Sequence, residues 1–216
     1  MTDLSKLPLD TLDGLSDKDL LSALLTYTQP NEAEQLAARL LSHFGSLCAV
    51  LHGENRALTS CGASAHTCSL LAMLLPAYGR IMRSRFSPSF RFDSPEKIGE
   101  YFSYCFCGSK VETVYLLLLR ADYTVIECRR MASGSVNSAN LNVRSLVEAA
   151  LFSEAKFVAI AHNHPSGLAQ PSQADISTTL DLRNAFSTIG VTLLDHIIVA
   201  GNARTSVLSS LHTHTE

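Results

Sequence analysis

Apolar and polar residues change their spacing partway along the chain. Through the first 85 or so residues they recur at helical intervals. Ser16 precedes DKDLLSALL, with Asp19 three places on and Leu15 and Leu20 flanking it, the pattern of a capped and stapled helix start. Asn31 and Glu34 predict the start of a second helix, with Leu36, Leu40 and Leu41 on one side and Gly45 as its stop. A short third segment, LCAVLHG, follows, and a fourth helix is predicted from about Ala65 to Ser84, kinked at Pro76. Residues 84–95 mix Ser, Pro and Arg without periodicity and mark the expected domain boundary. Two domains are therefore expected, one helical over 1–88 and one over 95–216.

The second part alternates strand-like and helix-like runs. Ser94 caps a helix that begins at Pro95. ETVYLLLL and YTVIECRR read as a hairpin joined near Arg120–Asp122, and GSVNSAN reads as a loop. VRSLVEAALFS is a helix, and KFVAIAHNH is a strand apolar on both faces, hence central. SQADISTTLDLRNAFSTIG is a helix stopped by Gly190, VTLLDHIIVA is another buried strand, and RTSVLSS is an edge. The order predicts an α/β fold with a mixed sheet flanked by helices.

Composition narrows the function classes. The 216 residues are 46% hydrophobic, ample for packed cores, and the net charge is −3, so no basic excess demands a nucleic-acid partner. No apolar run reaches the roughly 18 residues of a spanning helix, so no membrane is expected. The amino end lacks the order of a signal peptide, and the chain reads as cytoplasmic. The six cysteines include C-F-C at 105–107, which is neither a zinc-ribbon nor a redox spacing, and they read as reduced, mostly buried thiols.

Chemistry concentrates in AIAHNHPSGLAQPSQAD, residues 159–175. Alternate side chains of a strand share a face, so His162 and His164 project together from the carboxyl end of a central strand. Pro165 ends the strand. Ser172 then starts a helix with Asp175 in its first turn, which brings that carboxylate back towards the strand end. Two imidazoles and one carboxylate around an ion leave a fourth tetrahedral position for water, the arrangement of a catalytic zinc. Ser-x-x-Asp is equally an ordinary capping box. The succession strand, His-x-His-Pro, loop, Ser, Asp favours the metal reading. Glu112, at the head of ETVYLLLL, is either an exposed strand end or a general base at the sheet rim. Glu127, on the next strand, is the alternative and weaker candidate for that base, and Glu154 lies on a predicted helix surface.

HNHPSGLAQPSQAD resembles the JAMM (MPN+) metalloprotease signature, and within that superfamily the RadC family, whose version begins His-Asn-His-Pro-Ser-Gly. ETVYLLLL, SGSVNSANLNVRSLVEAAL, LLDHIIV and the amino-half stretches LSDKDLLSALL and LLSHFGSL resemble that family as well. The resemblance implies a cytidine-deaminase-like α/β/α JAB/MPN domain after a helix-hairpin-helix-like domain. It implies zinc on His162, His164 and Asp175 with water as fourth ligand. It implies Glu112 as general acid/base, Ser172 as oxyanion stabiliser, and hydrolysis of an amide or isopeptide bond in a peptide or protein substrate.

The chain departs from the family pattern in places. Val143-Arg144-Ser145 stands where Pro-Arg-Glu is usual. The hairpin reads LTSCGASAHTCSLL, with Gly62 alone left of Gly-x-Gly, Ser60 and Cys61 where Pro-Gly is expected, and His66 at a lysine-like position. Phosphate affinity should then be weak, and a degenerate domain used for packing or protein contact is the favoured reading. His196, beside Asp195, is either part of an Asp–His pair supporting the metal site or a hydrogen-bonded core histidine. His212 and His214 lie in a tail without the following Asp, and Arg129 and Arg130 read as a solvated turn. Three further readings compete with the hydrolase. A DNA-repair-associated nucleic-acid-binding protein and a catalytically silent interaction protein both remain compatible with the residues. A zinc deaminase needs His-x-Glu and Pro-Cys-x-x-Cys, which are absent.

Overall fold

The structure, a computed structural model, describes residues 14–134, 142–165 and 167–212. Most of GSVNSAN, Ser166 and the HTE at the end of the tail, with Thr213, lie outside the described residues. The chain divides into two compact units, residues up to Ala77 and residues from Tyr78 onward.

The first unit is helical. It holds α1 (Asp17–Thr26), α2 (Ala33–Phe44), α3 (Leu47–His52), α4 (Asn55–Ser60) and the first turns of α5 (Ala65–Arg83). Ser16 caps α1: its Oγ accepts from Asp19 N at 3.2 Å and donates to Asp19 Oδ2 at 2.6 Å. The expected Asn31–Glu34 start of α2 does not form. Glu32 is the flanking residue, without a side-chain cap, because the chain enters α2 from a turn. Gly45 ends α2 at φ 85°, as the sequence predicts. The six residues of α4 span less than two turns, too few for the apolar spacing to repeat, which is why the pattern missed them. Leu21, Leu25, Leu36, Leu40, Val50, Leu58 and Leu71 interlock as this unit's core.

The second unit is the predicted mixed α/β fold. Its elements are α6 (Pro95–Cys105), β1 (Thr113–Leu119), β2 (Val125–Ser133), α7 (Val143–Phe152), β3 (Phe157–Asn163), α8 (Gln173–Thr188), β4 (Thr192–Ala200), β5 (Ala203–Ser206) and α9 (Val207–His212). The sheet order is β2-β1-β3-β4-β5. All neighbours are antiparallel except β3 and β4, whose parallel pairing needs the crossover that α8 supplies. β3 is central, as its apolar run implies. Only residues 204–206 of the predicted edge are strand; Val207 onward turns into α9.

Strand alternation sorts the two faces. Val114, Leu116 and Leu118 of β1 and Val158 and Ile160 of β3 meet Leu146 of α7 and Leu182 and Phe186 of α8. Leu117, Leu119, Ala159 and Ala161 face the other way, against Ile98, Phe102 and Cys105 of α6. Asp175, Thr179, Leu182 and Phe186 recur at helical spacing along the buried stripe of α8, so the helix that fills the core also carries Asp175 to the sheet. Residues 84–95 pack their aromatics in this unit, with Phe86 stacked on Phe92 at 5.6 Å and edge-on to Tyr101.

Gly79 of α5 lies tight against α6. A Cβ there would sit 2.5 Å from the Tyr104 carbonyl and 2.8 Å from Cys107 Cβ. Gly79→Ala should therefore destabilise the unit by about 1–3 kcal/mol despite the better helix propensity of alanine. Urea denaturation checks this; unchanged stability would show that the contact yields freely. All six cysteines are free, but fewer are buried than the composition suggests: Cys68 and Cys105 are buried, Cys48 is exposed, and the others are intermediate. Among the described residues no helix is long and apolar enough to cross a membrane.

Candidate metal centre

β3 delivers both histidines to one point. His162 is its penultimate residue and His164 follows the strand end, on the same face by alternation. The His164 amide donates to the Val199 carbonyl at 2.9 Å, which extends the β3–β4 ladder to the second histidine. His162 Nε2 and His164 Nε2 are 3.0 Å apart. Asp175 Oδ1 lies 3.4 Å from His162 Nε2, and Oδ2 lies 4.0 Å from His164 Nε2. His162 and Asp175 are buried, at 4% and 6% exposure.

The capping-box reading of Ser-x-x-Asp holds, and it is compatible with the metal reading. Ser172 caps α8, accepting from Asp175 N at 3.1 Å, while Asp175 Oδ2 accepts from Ser172 N at 2.8 Å and from Ser172 Oγ at 2.6 Å. The capping box uses one carboxylate oxygen and aims the other at His162. Burial opposes ionisation of Asp175, but the Ser172 hydroxyl and amide, with His162 and His196 beyond them, outweigh it and hold the carboxyl below its ordinary range.

The donor set fits a cation. His164 Nδ1 lies 3.0 Å from the Leu168 carbonyl, which can only accept, so Nδ1 carries the proton and Nε2 of the neutral ring is an acceptor. His162 Nδ1 is likewise occupied, 2.8 Å from His196 Nε2. His162 Nε2, His164 Nε2 and a carboxylate oxygen thus face one another at the distances a shared cation needs. His162, His164 and Asp175 can together hold a metal ion, their ligand atoms all lying within 4.8 Å of one another. Tetrahedral zinc with bonds of about 2.0–2.2 Å needs ligand atoms ~3.3 Å apart, inside the observed span.

Glu112 reaches the same face through the ladder. Val114 of β1 stands opposite His162, so side chains at 114 and 162 share a side, and Glu112 is two residues earlier. It is partly buried, and burial raises its carboxyl above the ordinary range; His164 opposes and Asp175 reinforces that shift. Glu127, the alternative base, is placed elsewhere. It pairs with Leu118 near the far end of β1, and Arg129 engages it at 2.6 Å. Arg129 and Arg130 lie in β2 rather than in a turn. Glu154 lies in the turn after α7 at φ 54°, not on a helix.

Two residues that the sequence left without a settled role hold this arrangement. Asn163, between the two histidines, points to the opposite side of β3. Its Oδ1 accepts from Thr113 N at 2.8 Å and its Nδ2 donates to the Val111 carbonyl at 3.1 Å. Those are the neighbours of Glu112, so one buried amide fixes the backbone on either side of it. His196 is the second. The Asp195–His196 pair does not act as a unit: Asp195 Oδ1 accepts from the backbone amides of His196 and Leu208, while the His196 ring contacts His162. A β-bulge makes the separation. Val158 pairs with Leu193 but Ala159 pairs with Asp195, so Leu194 is an extra residue and the alternation shifts by one. Leu193 therefore joins the α8-side core, whereas Ile197 and Val199 join the α6-side core.

Burial depresses both rings, His162 to about 4 and His196 to about 3 from 6.5. Such rings stay neutral in the folded protein but take up protons when unfolded below pH 6.5. Their stabilising effect is complete above pH 6.5 and is lost as pH falls towards 4. Metal-free protein should lose about 4 kcal/mol between pH 7 and pH 5, roughly half from each ring. Urea melts with chelator at both values test it, and equal stability would refute the neutral-ring assignment.

Fold and site together define a helical unit followed by a mixed α/β unit with a His-His-Asp group at the end of its central strand. The chain belongs to the RadC family: residues 92–213 match the RadC-like JAB domain. It is 35% identical over 191 residues to a UPF0758 protein of Variovorax paradoxus, covering 87% of this chain and 84% of that one. UPF0758 proteins of Neisseria meningitidis and Methylibium petroleiphilum are each 34% identical, over 192 and 198 residues, covering 88% and 91% of this chain and 85% and 88% of theirs.

Proposed function

We propose that this protein is a zinc-dependent hydrolase of the JAMM type that cleaves an amide or isopeptide bond in a peptide or protein. The observation that carries the reading is the convergence of His162 Nε2, His164 Nε2 and an Asp175 oxygen on one point. His162, His164 and Asp175 would hold the ion. Bound there, zinc supplies Lewis acidity towards a carbonyl and hydroxide at neutral pH. Glu112 takes the proton from the attacking water and passes it to the leaving amine, a task suited to a carboxyl raised by burial. Asn163 keeps Glu112 at the rim of the site. Ser172 holds Asp175, and it can also serve a developing oxyanion by turning its hydroxyl off Oδ2.

Zinc content of protein purified without an affinity tag and then reconstituted tests the centre. About one equivalent is expected, and less than about a tenth would defeat the reading.

A DNA-binding role draws no support from the hairpin. The amides of Cys61, Gly62, Ala63 and Ser64 donate within the unit, to Ala57, Thr59, Leu58 and the Gln29 side chain. The Arg39 guanidinium is folded onto the Cys61 carbonyl at 3.0 Å. Those amides are what a phosphate would need.

A further inference from the structure

The buried residues behind His162 form a hydrogen-bond chain whose direction is set at one end. Thr179 Oγ1 lies 2.6 Å from the Asp175 carbonyl and 2.7 Å from His196 Nδ1. A hydroxyl has one proton, and a carbonyl only accepts, so that proton goes to Asp175 O. Thr179 Oγ1 must then accept from His196 Nδ1–H. The neutral His196 ring is left with a lone pair on Nε2, 2.8 Å from His162 Nδ1. His162 therefore donates from Nδ1 and keeps its lone pair on Nε2, the atom that faces His164 and Asp175. All three side chains are buried, at 0% exposure for Thr179, 3% for His196 and 4% for His162, so water does not compete for these bonds.

We propose that Thr179 and His196 are positioning residues that fix the His162 tautomer, so that the imidazole presents an acceptor rather than an N–H to a cation. The inference rests on the metal-centre reading above and adds what makes His162 a ligand in the first place. The chain begins on the backbone carbonyl of Asp175, itself a member of the ligand set. One turn of α8 thus supplies the carboxylate on one side and the orientation of the opposing imidazole on the other. Without the Thr179 hydroxyl, His196 Nδ1–H would be buried with no acceptor. The ring then gains by moving its proton to Nε2. His162 Nδ1 becomes an acceptor, and the proton of His162 moves to Nε2, where it blocks coordination.

Two readouts on the full-length chain decide this. Long-range proton–nitrogen NMR of metal-free protein above pH 7 reports which ring nitrogen is protonated. Wild type should show His162 and His196 both as Nδ1–H tautomers, and Thr179→Val should populate His162 Nε2–H. Zinc affinity, measured by competition with a chelator, should fall about 10–100-fold in Thr179→Val and stay within about threefold of wild type in Thr179→Ser, which restores the hydroxyl. A predominantly Nε2–H His162 in wild type overturns the proposal, as does Thr179→Val with unchanged ring signals and affinity. The wild-type spectrum decides it even where the valine variant fails to fold. Since that spectrum needs no metal, failure of wild type to take up zinc overturns the metal-centre reading alone.

Discussion

Asp175→Ala protein is expected to lose zinc binding by more than about 100-fold, beyond the penalty of changing a residue that only supports a ligand. The substitution removes the carboxylate that lies against the two imidazoles. It also breaks the capping box, since Ser172 N and Oγ both donate to Oδ2. That second loss should cost about 1 kcal/mol of stability, visible in a urea melt as a separate effect. Asp175→Asn distinguishes the two: it retains an oxygen for the cap but supplies no charge. It should melt close to wild type and still bind zinc poorly. Undiminished zinc binding by Asp175→Ala, measured by chelator competition, would remove Asp175 from the ligand set.

Glu112→Gln should leave zinc stoichiometry unchanged and slow peptide hydrolysis by about 10²–10⁴-fold, the usual worth of a positioned general acid/base. The glutamine side chain is isosteric, so the clamp of Asn163 on Val111 and Thr113 is untouched. A pool of internally quenched peptides, linear and isopeptide-linked, is the substrate to screen. Since burial raises the Glu112 carboxyl, the acid limb of the wild-type rate profile should lie above the ordinary carboxylate range. Equal turnover by wild type and Glu112→Gln would place the proton carrier elsewhere.

The His-His-Asp group was legible in the sequence because it is local. His162 and His164 share a face by strand alternation alone, and Asp175 is set by a cap whose partners are three residues apart. Glu112 was legible only as a candidate, since its face follows from the pairing of Val114 with His162. Asn163 bonds a backbone amide 50 residues away, which no local pattern encodes. The helical unit was read in outline, and α5 runs through Pro76 to Arg83 much as expected, but α4 is too short to show a repeating pattern. The Asp195–His196 dipeptide shows the limit most plainly. Which of the two faces the site is decided by a single unpaired residue in a ladder, and apolar neighbours on both sides leave no alternation to betray it.

That extra residue also sets what kind of neighbour His162 has. Excising Leu194 would restore regular pairing with Asp195 still opposite Ala159 and His196 still opposite Ile160, so the imidazole would keep its place. A ladder that ran on in step from Val158 and Leu193 with Leu194 retained would instead set Asp195 opposite Ile160 and put an anion behind His162, the carboxylate–histidine arrangement common behind metal-binding histidines. Whether a neutral ring or a charged group backs His162 is thus decided by where the ladder slips, and not by residue identity alone.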